Sequence, residues 1–151
     1  KYLLPGLLIL GAIVLLLFYF GNQQSKGIPA DWLTFTDEAG VYTFRYPQDF
    51  GRQYVTPVDW PPQVNLLEST SLNCNPYCIT TIDEGAAGST YRQYTYLTKH
   101  DDQIMRLVFT ARLPQCLNYD EPRQGECKAD QAAFNPDAII GQIINSLVFN
   151  K

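Results

Sequence analysis

Nineteen consecutive positions near the start carry no charge: YLLPGLLILGAIVLLLFYF, Tyr2 to Phe20. At about 1.5 Å per helical residue, such a run spans roughly the 30 Å hydrocarbon core of a bilayer. Phe18, Tyr19 and Phe20 gather at its far end, where an interfacial aromatic belt would sit. Pro5 falls in the first turn, where a missing N–H costs little. A buried core helix is the first rival, but nothing later in the chain is apolar enough to wrap such a helix on all sides. A cleavable signal peptide is the second. It would have a shorter apolar region and a small-x-small site, whereas this run ends in Phe-Tyr-Phe-Gly. The pattern predicts a retained signal anchor over residues 1–21, set in the lipid bilayer through residues 2–20. Residues 22–30 form a polar linker. Lys1 before the run is a positive-inside signal, so the N-terminus is expected in the cytoplasm and the remainder outside it.

From residue 31 the pattern changes to alternation. WLTFTDEAGVYTFRYP, Trp32 to Pro47, reads as a hairpin turning through Asp37-Glu38-Ala39-Gly40. Tyr42, Phe44 and Tyr46 share one face of its second strand. Residues 48–62 hold three prolines and Trp60, and read as an ordered loop or partial helix with aromatic plugs. Val64 to Glu68 and Ile79 to Asp83 read as short strands, and Glu84 to Ser89 as a flexible link. The clearest hairpin pairs Tyr91–Lys99 with Gln103–Leu113 through His100-Asp101-Asp102. Met105, Leu107, Phe109, Ala111 and Leu113 make one face of it wholly apolar, so that face must be covered.

The cover lies near the end. Asn135 is a candidate N-cap, Pro136 a favourable first helical residue, and Asp137 suits the helix dipole. Ile139, Ile140, Ile143, Ile144 and Leu147 then form a stripe at helical spacing. Leu147-Val148-Phe149 is a candidate last strand. Between hairpin and helix runs PQCLNYDEPRQGECKADQAA, read as a polar loop. The expected fold is α+β over residues 31–151: an antiparallel sheet with a packed C-terminal helix.

Four cysteines, Cys74, Cys78, Cys116 and Cys127, all follow the anchor. An even number behind a signal anchor points to two disulfides in an oxidising compartment. Three pairings exist. The local one, Cys74–Cys78 and Cys116–Cys127, is expected, since Asn75-Pro76-Tyr77 supplies the sharp turn that a four-residue spacing needs. A thioredoxin-type centre wants two residues between its cysteines and a helix N-terminus, and CNPYC offers neither. A zinc site wants closely spaced ligand pairs, and His100 is the single histidine.

The strand end FRYPQDF and the terminal IIGQIINSLVF together resemble the PsbP-like family, named for an extrinsic protein of photosystem II. Tyr46, Pro47 and Phe50 match its Tyr-Pro-x-x-aromatic strand end. Ile143, Ile144, Ser146 and Phe149 match its closing helix and short strand. The resemblance covers about thirty residues and implies an α/β/α sandwich with a binding or accessory role, as in membrane-anchored bacterial members. It carries over no contact residue.

Composition narrows the function. The formal net charge is −4. Lys1 and Lys26 are the two basic residues of the first 26, so the remainder holds 9 basic and 15 acidic side chains. Such a domain has no basic surface with which to displace counterions from phosphates, so nucleic acid is not expected as a partner. One histidine leaves no His-based triad or two-histidine metal motif, and no G-x-S-x-G, P-loop or dinucleotide fingerprint occurs. Acidic pairs at Asp37-Glu38, Asp83-Glu84, Asp101-Asp102 and Asp120-Glu121 all fall at predicted turns. Neither catalytic residues nor a cofactor or metal is expected. Tyr91, Tyr94 and Tyr96 are a candidate interaction surface, because tyrosines favour interfaces; sheet packing is their commoner use. The sequence therefore predicts a non-enzymatic, single-pass, extracytoplasmic binding or accessory domain with a protein partner at the membrane. The alternative is a subunit of a pilin-like filament or membrane complex, for which the helix would continue past Gly21.

Overall fold

Two long alternating strands build the centre of the unit described here. β5 (Ser89–His100) and β6 (Gln103–Pro114) pair antiparallel in unbroken register, from Ser89 opposite Pro114 to His100 opposite Gln103. In this computed structural model the described residues are 27–67, 72–100 and 103–150. The expected anchor over residues 2–20 lies outside them, as does the Asp101-Asp102 turn. Among the described residues, no helix is long and apolar enough to cross a membrane. Contacts divide the chain into two units, Lys1–Ala30 and Asp31–Lys151; the second is described below.

β6 is central because its inner face is apolar throughout. Met105, Leu107, Phe109 and Ala111 are fully buried, and Ile104 and Val108 on the other face are buried as well. β3 (Thr56–Leu67) flanks β6, and β4 (Tyr77–Ala86) flanks β5, giving a four-stranded antiparallel sheet in the order β3-β6-β5-β4. β1 (Leu33–Thr36) and β2 (Tyr42–Tyr46) form the first predicted hairpin, with Phe35 opposite Phe44. The turn is held by Asp37, whose Oδ1 accepts from Tyr42 N at 2.8 Å and whose Oδ2 accepts from Ala39 N at 3.2 Å.

Two helices follow. α1 spans Arg123–Ala132 and α2 spans Pro136–Ser146. α2 starts as its sequence demands: the Asn135 side chain accepts from Ala138 N at 3.3 Å, and Pro136 takes the first helical position. Ile140 and Ile143 face the core and are fully buried. The helix stops at Ser146, and β7 (Val148–Phe149) pairs with β2. Ser146 extends that ladder by a side chain. Its Oγ accepts from Arg45 N at 2.8 Å, with the Ile143 and Arg45 carbonyls 2.7 and 3.3 Å away.

One aromatic core joins these layers. Tyr94 stacks on Phe109 with centroids 4.9 Å apart, and Phe50 meets Trp60 edge to face at 4.9 Å. Phe44, Ile140, Ile143 and Leu147 complete the cluster. The Trp60 indole donates to Pro47 O at 2.7 Å, so the largest side chain is both packed and satisfied.

The α+β class stands, with four differences. Among the described residues there are two sheets, because β7 returns to β2 instead of extending the larger sheet. The region read as loop or partial helix is in part strand: β3 begins at Thr56 and runs through Pro57, Pro61 and Pro62. Prolines are tolerated there because β3 is an edge, with register shifts between Pro57 and Asp59 and between Asp59 and Gln63. Glu84–Ser89 is no flexible link. β4 and β5 run to a two-residue turn at Ala87-Gly88, both with positive φ, which is the type I′ requirement. The polar loop between hairpin and C-terminal helix contains α1, which the absence of an apolar stripe concealed.

Candidate functional site

α1 is polar, and its attachment explains a surface groove. Glu121 Oε2 accepts from Gly125 N at 3.3 Å at the helix start. Only Cys127 is buried, and its disulfide to Cys116 draws the helix onto a short 3₁₀ turn, Cys116–Asn118. The Cα atoms of the pair lie 5.5 Å apart, which suits a disulfide. Asp130 Oδ2 accepts from Tyr54 N at 2.7 Å, and Arg52 lies 3.5 Å from Asp130 Oδ1. Gln131 Nε2 donates to Pro114 O at 2.8 Å. Staple and polar tethers thus replace an apolar face. Tyr54 packs on Tyr119 at 5.4 Å and closes a small second core around the disulfide.

Between α1 and the β4–β5–β6 end of the sheet lies an open groove of about 770 Å³. Arg92 and Asp83 form one wall, Lys128 and Gln131 the other, and Leu113 and Leu117 supply the apolar part. Asp83 and Arg92 stand directly opposite in the β4–β5 ladder. The guanidinium donates through Nε and one terminal nitrogen to both carboxylate oxygens, each at 2.7 Å. That bond holds Asp83 below the usual carboxylate range and Arg92 above its ordinary value. Both side chains are over a third exposed, so water screens the pair and its stabilisation is about 1 kcal/mol or less. The groove therefore offers the paired Arg92 and Asp83, the exposed Lys128 ammonium and the amides of Gln115 and Gln131. Among the described residues its lining has no histidine, and its cysteine is disulfide-bonded. Among the described residues, no cluster of three His, Cys, Asp or Glu side chains is placed to hold a metal.

Tyr91, Tyr94 and Tyr96 do not form one surface. The two-residue period of a strand turns Tyr91 to the face opposite the other two. Tyr94 and Tyr96 are 6% and 0% exposed, inside the aromatic core. Burial pushes both phenols up, and for Tyr96 the Asp137 carboxylate adds to it. Tyr96 donates to Asp137 Oδ1 at 2.6 Å, which ties β5 to the start of α2. The second disulfide joins Cys74 to Cys78 at the start of β4, with Cα atoms again 5.5 Å apart. Of the acidic pairs, Asp37 holds its turn and Glu121 starts α1, as their predicted turn positions imply. Asp83-Glu84 lies within a strand, not at a turn.

The groove was missed because Asp83 and Arg92 sit in sequence on either side of a stretch read as flexible. Once Ala87-Gly88 is seen as a hairpin turn, the register alone brings the two residues together. Comparisons with family models, with curated proteins and with solved structures each find no match to this chain.

Proposed function

We propose that this chain is a membrane-tethered, extracytoplasmic accessory domain that holds a partner protein near the bilayer and carries out no reaction itself. The observation that carries the reading is the pair of disulfides. One fixes a polar helix that buries little else, and such a device persists only where thiols stay oxidised. The uncharged run Tyr2–Phe20 supplies the tether. The PsbP-like reading belongs to this proposal. It is supported by the meeting of the two segments that carry the resemblance: Ser146 bonds the backbone of Arg45.

The test compares the full chain with a version beginning at Gly27. Full-length protein mixed with vesicles should float with them and expose its domain to added protease, while the shortened form stays at the bottom of the gradient. Equal flotation of both, or neither, overturns the tether. A full-length chain that assembles into filaments favours the pilin-like alternative.

A further inference from the structure

The two edges of the four-stranded sheet are treated differently. β3 is interrupted by Pro57, Pro61 and Pro62 and by two register shifts, which are devices that stop another strand from adding. β4 has none of these. Its ten residues, YCITTIDEGA, pair with β5 in unbroken register and contain no proline and no lysine. From Thr80 to Ala86 every residue is exposed, and Ile79 and Ile82 are 43% and 58% exposed. Ala86 and Ser89 flank the two-residue turn, so they form a hydrogen-bonded pair. Alternation then turns the main-chain groups of residues 86, 84, 82, 80 and 78 towards β5. Those of Tyr77, Ile79, Thr81, Asp83 and Gly85 point outward, where β4 has no neighbouring strand among the described residues.

We infer that β4 is a pairing edge for a second copy of this chain, added antiparallel about a two-fold axis at Thr81. This proposal goes beyond the tethering reading and does not depend on it. The two-fold requires residues of one face to oppose each other. Centring on Thr81 sets Ile79 against the partner copy's Asp83, and Tyr77 against its Gly85. Thr80 then opposes Ile82, and Cys78 opposes Glu84. All five outward residues of each copy find partners, giving about ten main-chain hydrogen bonds, as many as a standard interface carries. Centring on Thr80 would leave Gly85 unpaired. A tyrosine over a glycine and a threonine beside an isoleucine are both favourable cross-strand neighbours. Charge fixes the direction: parallel addition would align Asp83 and Glu84 with themselves, and antiparallel addition separates them.

The area sets the strength. Ten residues at about 3.4 Å and a height of about 10 Å give roughly 340 Å² per copy, so about 700 Å² in all. A stable complex buries about 1,200 Å² or more, so the dimer is weak when the chain is dilute. Confinement on one membrane, if the tether reading holds, raises its occupancy through effective concentration. The excess of acidic side chains makes two copies repel at a distance, so salt must strengthen this pairing. A basic partner at the same edge would bind more weakly in salt.

The test uses full-length Thr81→Cys and Glu84→Cys variants under mild oxidation, read on non-reducing gels. In the proposed register the Cα atoms of position 81 in the two copies lie about 5.5 Å apart, within disulfide range, whereas those of position 84 lie about 20 Å apart. Thr81→Cys should cross-link strongly, Glu84→Cys should not, and the Thr81→Cys yield should rise with salt. Added to Thr81→Cys, Ile79→Asp should abolish the dimer by facing Asp83, and Ile79→Lys should increase it. Equal yields from the two cysteine variants, a yield that falls with salt, or Ile79→Asp and Ile79→Lys acting in the same direction overturns the proposal. So does a cross-link found only to a different chain. Because Ile79 is exposed, these two variants leave the melting temperature within a few degrees, which separates lost pairing from lost folding.

Discussion

Removing the Cys116–Cys127 staple tests how α1 is held. The Cys116→Ala/Cys127→Ala double variant opens a loop whose ends stand eleven residues apart. Loop-closure entropy for that separation is about 3 kcal/mol at 25 °C. For a unit of about 120 residues the unfolding entropy is about 0.25 kcal/mol/K, so the melting temperature should fall by about 12 °C. The loss should also be local. α1 has ten residues, too few to be helical alone, and Cys127 is its only buried residue. Without the staple it keeps polar contacts, those of Asp130 and Gln131, of Arg52 with the Ala133 carbonyl and of Arg123 with the Tyr119 ring. Native-state hydrogen exchange should therefore show amides of residues 123–132 losing protection first, while β5 and β6 keep theirs. The Cys74→Ala/Cys78→Ala variant spans four residues and should cost about 2 kcal/mol, with α1 unaffected. A fall under about 3 °C for the first variant, or unchanged protection in α1, would refute the argument that the disulfide stands in for an apolar face.

Other outcomes follow from single groups. Tyr96→Phe deletes the donor to Asp137 at the base of α2 and should cost about 1–3 kcal/mol in denaturant unfolding, with the fold kept. The phenols of Tyr42, Tyr77, Tyr94 and Tyr96 are all raised, chiefly by burial, so the folded state holds their protons more tightly than the unfolded chain. Their contribution is fully present below the unfolded value near 10 and is lost as pH rises above it towards the folded values. Unfolding titrations between about pH 8 and 11 should thus show stability flat at first and then falling, less steeply in Tyr96→Phe. A flat profile throughout would contradict the burial of these rings. Ala87 has φ 49 in the type I′ turn, so Ala87→Asn should raise stability by about 0.5–1 kcal/mol, visible as a melting rise of a few degrees.

Much of the fold was legible in the chain, and the exceptions share a cause. The β5–β6 hairpin and α2 follow from patterns dictated by local chemistry: apolar residues every second position, and an Asn-Pro-Asp start before an isoleucine stripe. β3 was hidden because three prolines argue against a strand unless it is known to be an edge, and that is a tertiary fact. α1 was hidden because its attachment depends on one cysteine and a few polar tethers rather than on periodicity. Ala87 concealed a tight turn, since alanine rarely takes a positive φ. That error propagated: without the turn there is no β4–β5 register, no Asp83–Arg92 pair and no exposed edge. The parity separating Tyr91 from Tyr94 and Tyr96 was readable from position alone.

The central proposal is that this domain works with its cysteines oxidised, outside the cytoplasm. The most direct measurement traps thiols in intact cells that make the full chain, by rapid acid quenching and alkylation under denaturing conditions, and then weighs the protein. The account predicts that none of the four cysteines is alkylated before reduction and that all four are after it. Four alkylated cysteines in the unreduced sample would contradict it, because a domain kept reduced in cells has no use for either staple.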